Sequence, residues 1–246
     1  MPSTTGVTIA SRINSEANKT EINIYHSASV LSFAPRIAEF LTLLDKDELA
    51  IAKRFKFPDL RERYIINHGI LRQLLAAQVN ESPAKLCIKK AEFGKPFLAD
   101  FPDLSFNMSH SGDSLAIAIS SECQLGIDIE CYKARDTWEG LVKKCFSVEE
   151  AKYWHTLSEA ERGSAFYQFW VKKEAFVKAV GKGITLSLNQ CVINPDDLNA
   201  FLRVPELAGS ADQWQVYTLD LSESEFAAVV CDRRDGAVRL NMLALE

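Results

Sequence analysis

The sequence predicts a mixed helix-and-strand fold in two similar halves, residues 1–121 and 122–246. Three observations carry that expectation. Residues 22–120 and 123–243 each present short strand-like runs around helical ones. No Pro-, Gly- or Ser-rich linker separates them. The 246 residues are 47% hydrophobic and 25% charged, the balance of a soluble globular protein large enough to build a core without disulfides. The formal charge of −5 argues against bulk nucleic-acid binding and makes any local basic cluster informative. Cys87, Cys123, Cys131, Cys145, Cys191 and Cys231 form no CxxC pair and no metal-ligand spacing with the four histidines. They are expected to be reduced and mostly buried, as in a cytosolic protein. No apolar run approaches twenty residues, and the first twenty hold no long apolar run behind a basic start. Neither a membrane span nor a secretory signal is expected.

Residues 1–20 are polar and aperiodic, as a loose terminus is. Residues 21–26 alternate around Ile22, Ile24 and Tyr25, which predicts a first strand. Leucines and isoleucines at helical spacing predict helix over 35–52, and Tyr64, Ile65, Leu71, Leu74 and Leu75 predict a longer one over 61–78. Segment 53–95 carries ten Lys and Arg against four acidic residues. That is either a solvated helix face or an anion site for phosphates. Gly94-Lys95-Pro96 is a turn with a cation at its tip. Met108-Ser109-His110-Ser111-Gly112 is a short polar cluster between strand-like runs at 104–107 and 115–119. It is either a plain loop or a phosphate cradle of side-chain and backbone donors. A Ser-His nucleophile pair is set aside, because strand neighbours point to opposite faces and the chain has no GxSxG.

Within the run 125–130, Asp128 and Glu130 share one strand face and Ile127 and Ile129 the other. Two adjacent carboxylates repel, so they belong either at a solvated strand end or around a hard divalent cation such as Mg²⁺. Ser147-Val148-Glu149-Glu150 and Ser158-Glu159-Ala160-Glu161 are capping-box patterns opening two helices. Residues 169–180 form a proline-free helical run with Gly181 placed for a left-handed exit. Four-residue spacing puts Trp170, Glu174 and Lys178 on one face of it. Glu174 and Lys178 are then either a surface ion pair or a third carboxylate and a cation joining Asp128 and Glu130. Strand-like runs follow at 188–193, 213–219, 226–231 and 238–243.

Three stretches in this order and spacing resemble the signature of the Sfp-type 4′-phosphopantetheinyl transferases. They are Phe106-Asn107-Met108-Ser109-His110-Ser111-Gly112, Gly126-Ile127-Asp128-Ile129-Glu130, and Trp170-Val171-Lys172-Lys173-Glu174-Ala175-Phe176-Val177-Lys178 with Gly181 and Gly183. Lys53-Arg54-Phe55, Arg61, Arg63, Arg72 and Gly94-Lys95-Pro96 resemble the family's upstream motifs, so the likeness covers residues 50–190. It implies an α+β fold of two similar halves related by a pseudo-twofold, with the active site in the cleft between them. It implies transfer of phosphopantetheine from coenzyme A to a serine of an acyl or peptidyl carrier protein, releasing adenosine 3′,5′-bisphosphate. By match, Asp128, Glu130 and Glu174 would hold Mg²⁺ on the pyrophosphate, and Lys178 and His110 would contact phosphates. Arg54, Arg63, Lys95 and Ser109 would lie along the coenzyme A groove. Glu174 or a metal-bound water would take the serine proton, which makes Glu174, Lys178 and His110 the expected catalytic set. A cytoplasmic monomer with no nucleic-acid or membrane partner is expected. The chain departs from the family at Glu48 and Ile51, where the surfactin branch carries lysines, and at Asn67-His68, where many members carry Gly-Arg. Two other readings use the same residues: a Mg²⁺-dependent phosphohydrolase of a nucleotide or coenzyme, and a non-catalytic carrier-protein or coenzyme A binder. The complete acidic triad argues against the latter.

Overall fold

A computed structural model of the chain describes residues 19–183, 187–232 and 237–245. The loose terminus expected over 1–20 falls almost wholly outside them. The first strand, β1 (Lys19–Ser27), buries Ile22 and Ile24 completely. A 3₁₀ turn over Val30–Arg36 leads into α1 (Ile37–Leu43) and α2 (Lys46–Arg54). The single helix expected over 35–52 is therefore broken. Asp45 is the reason: its carboxylate accepts the Asp47 and Glu48 N–H groups while Glu48 returns the bond, a capping box that starts a new helix. α3 (Pro58–Val79) opens on a proline at its first position and ends at Asn80 in the left-handed conformation.

Short strands β2 (Ile88–Lys90) and β3 (Pro96–Leu98) pair around the Gly94 turn. β4 (Ser105–Ser111) and β5 (Ser114–Ser120) form a tight hairpin. This corrects the loop expected at 108–112: Met108–Ser111 are strand, and the turn is Gly112-Asp113, with Gly112 at φ +60°. β6 (Leu125–Cys131) follows, then α4 (Glu139–Cys145), α5 (Val148–Thr156) and α6 (Glu159–Val180). α6 ends at Gly181, φ +72°. The run expected as strand at 188–193 begins as a 3₁₀ turn, Leu188–Gln190, before β7 (Val192–Asn194). β8 (Asp197–Arg203), β9 (Trp214–Leu219), β10 (Glu225–Asp232) and β11 (Ala237–Ala244) complete the chain.

One sheet has the order β11-β1-β5-β4 and the other β6-β10-β9. The sheets meet face to face: Ile22, Ile24, Ala116 and Ala118 pack against Leu125, Ile127, Ile129, Ala227 and Val229. α1 and α3 cover the outer face of the first sheet through Phe40, Ile66, Leu75, Phe106 and Ile117. α6 covers the outer face of the second through Phe169, Ala175, Phe176, Ala228 and Val230. The result is an α+β sandwich with sheets inside and helices outside. β11 joins the first sheet by pairing in parallel with β1, so sheet membership does not follow the sequence division at 121/122 for this strand.

Candidate active site

β4 and β6, edge strands of the two sheets, lie side by side, and α6 crosses β6. Gly126 makes that crossing possible. A Cβ there would collide with the Ala175 carbonyl oxygen and the Ala179 amide nitrogen of α6. With α6 seated on the β6 backbone, its Trp170–Glu174–Lys178 face meets the Asp128–Glu130 face of β6. Ile127 and Ile129 turn into the core as the alternation requires.

Asp128 is 4% exposed. Its Oδ1 accepts from Lys178 Nζ at 2.6 Å and from Ser109 Oγ at 2.8 Å. Lys178 Nζ also donates to Ser109 Oγ at 2.9 Å and to the Ile127 carbonyl at 3.3 Å. Glu130 accepts from Trp170 Nε1 at 3.2 Å on one oxygen and from Ser111 Oγ at 2.9 Å on the other. Glu174 has no hydrogen-bond partner among the described residues. Burial raises the Asp128 carboxyl above the ordinary carboxylate range, with Lys178 opposing and the Glu130 charge adding. Burial likewise raises Glu174, with the Asp128 charge next. Desolvation lowers His110, and the Lys178 cation lowers it further.

Three cavities adjoin here and share wall residues. The middle one, about 330 Å³, is lined by Ser109, His110, Asp128, Glu130, Glu174 and Lys178 among others. Trp170, Glu174 and Lys178 also face a cavity of about 640 Å³, walled on its far side by Phe93, Pro96, Leu141 and Leu188. Met108 and His110 also face one of about 280 Å³, beside Arg63, Tyr64 and His68 of α3.

The structure thus gathers Ser109, His110, Asp128, Glu130, Glu174 and Lys178 into one cavity. It treats the other expected groove residues differently. Arg63 lines the third cavity, but its Nε donates to Asp113 at 2.6 Å. Lys95 lines the largest cavity with its stem, while its ammonium donates to the Leu125 and Ala179 carbonyls at 3.0 and 2.7 Å. Burial lowers Lys95 to about 8, and the Asp232 charge opposes this. Arg54 is exposed at the end of α2 and lines none of the three cavities. Arg72, from the same basic segment, is wholly buried and paired with Asp45 and Glu48 at 2.6 Å each. It is a structural cation, which accounts for part of the basic excess. Glu48 in turn holds His68 Nδ1 at 2.9 Å. Sequence reasoning quoted Ser111 and Asn107 within the signature but gave neither a role of its own, although the alternation Asn107-x-Ser109-x-Ser111 marks one polar strand face.

The donor chemistry fits a hard divalent cation. Asp128, Glu130 and Glu174 face one cavity, and Asp128 Oδ2 is buried without a hydrogen-bond partner. As placed, no three acidic, histidine or cysteine side chains of the described residues are gathered closely enough to hold an ion. Lys178 and Ser109 satisfy Asp128 Oδ1 instead.

The sequence pattern described as the 4′-phosphopantetheinyl transferase superfamily matches residues 124–231, and that described as 4′-phosphopantetheinyl transferase, N-terminal, matches residues 31–122. A putative 4′-phosphopantetheinyl transferase of Synechocystis sp. is 34% identical over 184 residues, 74% of this chain and 74% of the relative. The 4′-phosphopantetheinyl transferase HetI of Nostoc sp. is 31% identical over 198 residues, 79% of this chain and 81% of its own. The 4′-phosphopantetheinyl transferase Sfp of Bacillus subtilis is 29% identical over 150 residues, 61% and 66% of the two chains. With the two patterns covering both halves and the acidic, basic and hydroxyl groups of the expected signature meeting in one groove, the chain belongs to the 4′-phosphopantetheinyl transferase family.

Proposed function

We propose that the chain transfers the 4′-phosphopantetheine group of coenzyme A to a serine of an acyl or peptidyl carrier protein and releases adenosine 3′,5′-bisphosphate. The observation that carries this reading is the convergence of three carboxylates, Lys178 and His110 on one cavity, flanked by two others that share its wall residues. Phosphoryl transfer needs positioning and charge neutralisation more than covalent help from the protein. Asp128, Glu130 and Glu174 would hold Mg²⁺, which when bound supplies charge neutralisation on the pyrophosphate. Lys178, now bonded to Asp128, Ser109 and the Ile127 carbonyl, would bring a cation to the charge that develops on the leaving side, and His110 would add a donor from the same wall. Glu174 carries a carboxylate whose pKa is raised by burial, which suits it to accept the proton of the attacking serine. Three adjoining cavities support an extended substrate such as coenzyme A. The ion pair of Arg63 and the two carbonyl bonds of Lys95 make both residues builders of the groove wall first, and phosphate contacts second.

A monomeric enzyme is part of the same proposal. The six cysteines are free thiols, which supports a cytoplasmic one. No helix of the described residues is long and apolar enough to cross a membrane. The test is mass spectrometry of an apo carrier protein after incubation with the chain, coenzyme A and Mg²⁺. The expected result is a mass gain of one phosphopantetheine on the carrier serine. Breakdown of coenzyme A without a carrier would point to the phosphohydrolase, and binding without modification to the silent binder.

A further inference from the structure

Ser111 has no part in the reaction as described so far, and it lines none of the three cavities. Its position is nevertheless unusual. β6 is the edge of its sheet, and its outward N–H groups have no partner strand. Buried backbone N–H groups must find an acceptor. Here alternate side chains of β4 supply it. Ile127 N–H donates to Asn107 Oδ1 at 2.9 Å, Ile129 N–H to Ser109 Oγ at 3.4 Å, and Cys131 N–H to Ser111 Oγ at 3.1 Å. A face of hydrogen-bonding side chains stands in for a backbone ladder and joins the two sheets.

A seryl hydroxyl has one proton and two acceptor lone pairs. With the Cys131 N–H on one lone pair, the orientation of Ser111 Oγ is set, and its proton goes to Glu130 at 2.9 Å. The Trp170 indole holds the other oxygen of Glu130 at 3.2 Å. Glu130 is thus clamped by donors from β4 and from α6. A glutamate at a strand end is otherwise free in its side-chain torsions, and ordering it costs entropy. Ser109 relates to Asp128 in the same way, but it also touches Lys178 and faces the cavity. Ser111, 7% exposed and behind the cavity wall, separates the positioning role from ligand contact.

We infer that Ser111 is a positioning residue: through its hydroxyl, the β6 backbone aims Glu130 at the divalent cation that the carboxylates would hold. The inference rests on the metal-assisted reading of the site. Partners that orient metal ligands are commonly worth 10–100-fold in metal affinity.

The test is calorimetric titration of Mg²⁺ into the whole chain, for the wild type, Ser111→Ala and Ser111→Thr. The expected result is a rise of about 10–100-fold in the Mg²⁺ Kd for the alanine variant. Threonine keeps the hydroxyl and is expected to restore the wild-type Kd. The Mg²⁺ concentration for half-maximal carrier modification should move in parallel. A folded alanine variant with wild-type Mg²⁺ affinity overturns the inference. So does a threonine variant as weak as alanine, since packing and not the hydroxyl would then matter. If alanine prevents folding, Ser111→Cys takes its place: it fills the seam but offers only a weak donor, and wild-type affinity there is equally decisive. A wild-type chain that modifies its carrier at full rate in excess chelator would sink the metal reading itself, a result distinct from the others.

Discussion

Lys178 directs its ammonium to Asp128, Ser109 and the Ile127 carbonyl, whereas Glu174, one turn earlier on α6, is hydrogen-bonded to nothing described. A surface ion pair would place these two side chains on each other, and replacing either would change stability by less than about 1 kcal/mol. Their separation argues for two distinct tasks. Glu174→Gln keeps the size and a carbonyl oxygen but loses the charge, which weakens the proposed metal ligand and removes the proposed base. Lys178→Ala removes the cation proposed for the leaving side and leaves Asp128 buried with Ser109 as its remaining partner. Each is expected to slow carrier modification by at least about 10²-fold at saturating coenzyme A. For Lys178→Ala the loss should fall on kcat more than on KM. Circular dichroism checks the fold, and near-wild-type rates in both folded variants would leave α6 a structural helix only. At this scale the sequence was informative where spacing alone decides direction. Two-residue spacing on a strand set Asp128 and Glu130 together, and four-residue spacing on a helix set Trp170, Glu174 and Lys178 together. It was uninformative about Lys95 and Arg72. Their partners lie on distant segments: Leu125 and Ala179 for one, Asp45, Glu48 and the Pro83 and Leu86 carbonyls for the other.

Among the elements, α6 and β6 carry the site, and Gly126 is the point at which they touch. Gly126→Ala puts a methyl group against helix backbone, which cannot swing aside as a long side chain would. Overpacking of a core typically costs about 1–3 kcal/mol, and contact with backbone belongs at the upper end. The expected result is a loss of about 3 kcal/mol in urea unfolding, together with a fall in activity as Glu174 and Lys178 move off β6. An alanine variant of wild-type stability would mean that α6 tolerates a shift outward. The elements that could be read from sequence are those with a strong signal of their own: the long helices α3 and α6, the capping boxes that open α5 and α6, and the apolar strands β5 and β10. The elements that could not are governed by neighbours. β8 buries only Phe201, so it has no alternation to detect. The cluster at 108–111 carries turn-forming residues, yet it is strand because its serines and Asn107 serve the edge of β6 as acceptors.

For the molecule as a whole, the seam between the sheets holds the groove's two walls in register. At one end of that seam, Glu225 of β10 reaches across to the first sheet. It accepts from Ser114 of β5 and faces His26 Nε2 at 3.2 Å, and Ser222 adds a third donor at 2.8 Å. The fold division at 121/122 did not announce this contact, since it depends on how the two sheets stack. Burial works to raise the Glu225 carboxyl, but the Ser114, Ser222 and His26 interactions outweigh it and hold the group below the ordinary carboxylate range. The folded state therefore binds the Glu225 proton less readily than the unfolded chain does. Stability from this contact is present above the unfolded carboxylate pKa of about 4.3 and is lost as pH falls through the lower folded value. Glu225→Gln removes the charge at every pH. The variant is expected to be less stable than the wild type by about 1.5–3 kcal/mol near pH 7, the range for hydrogen bonds to a charged group. The difference should narrow in acid, once the wild-type carboxyl is itself protonated. Thermal unfolding of both proteins from pH 3 to pH 7 measures it. Parallel curves at a constant offset would mean that Glu225 acts through its shape alone, and that the contact between the sheets is neutral in charge.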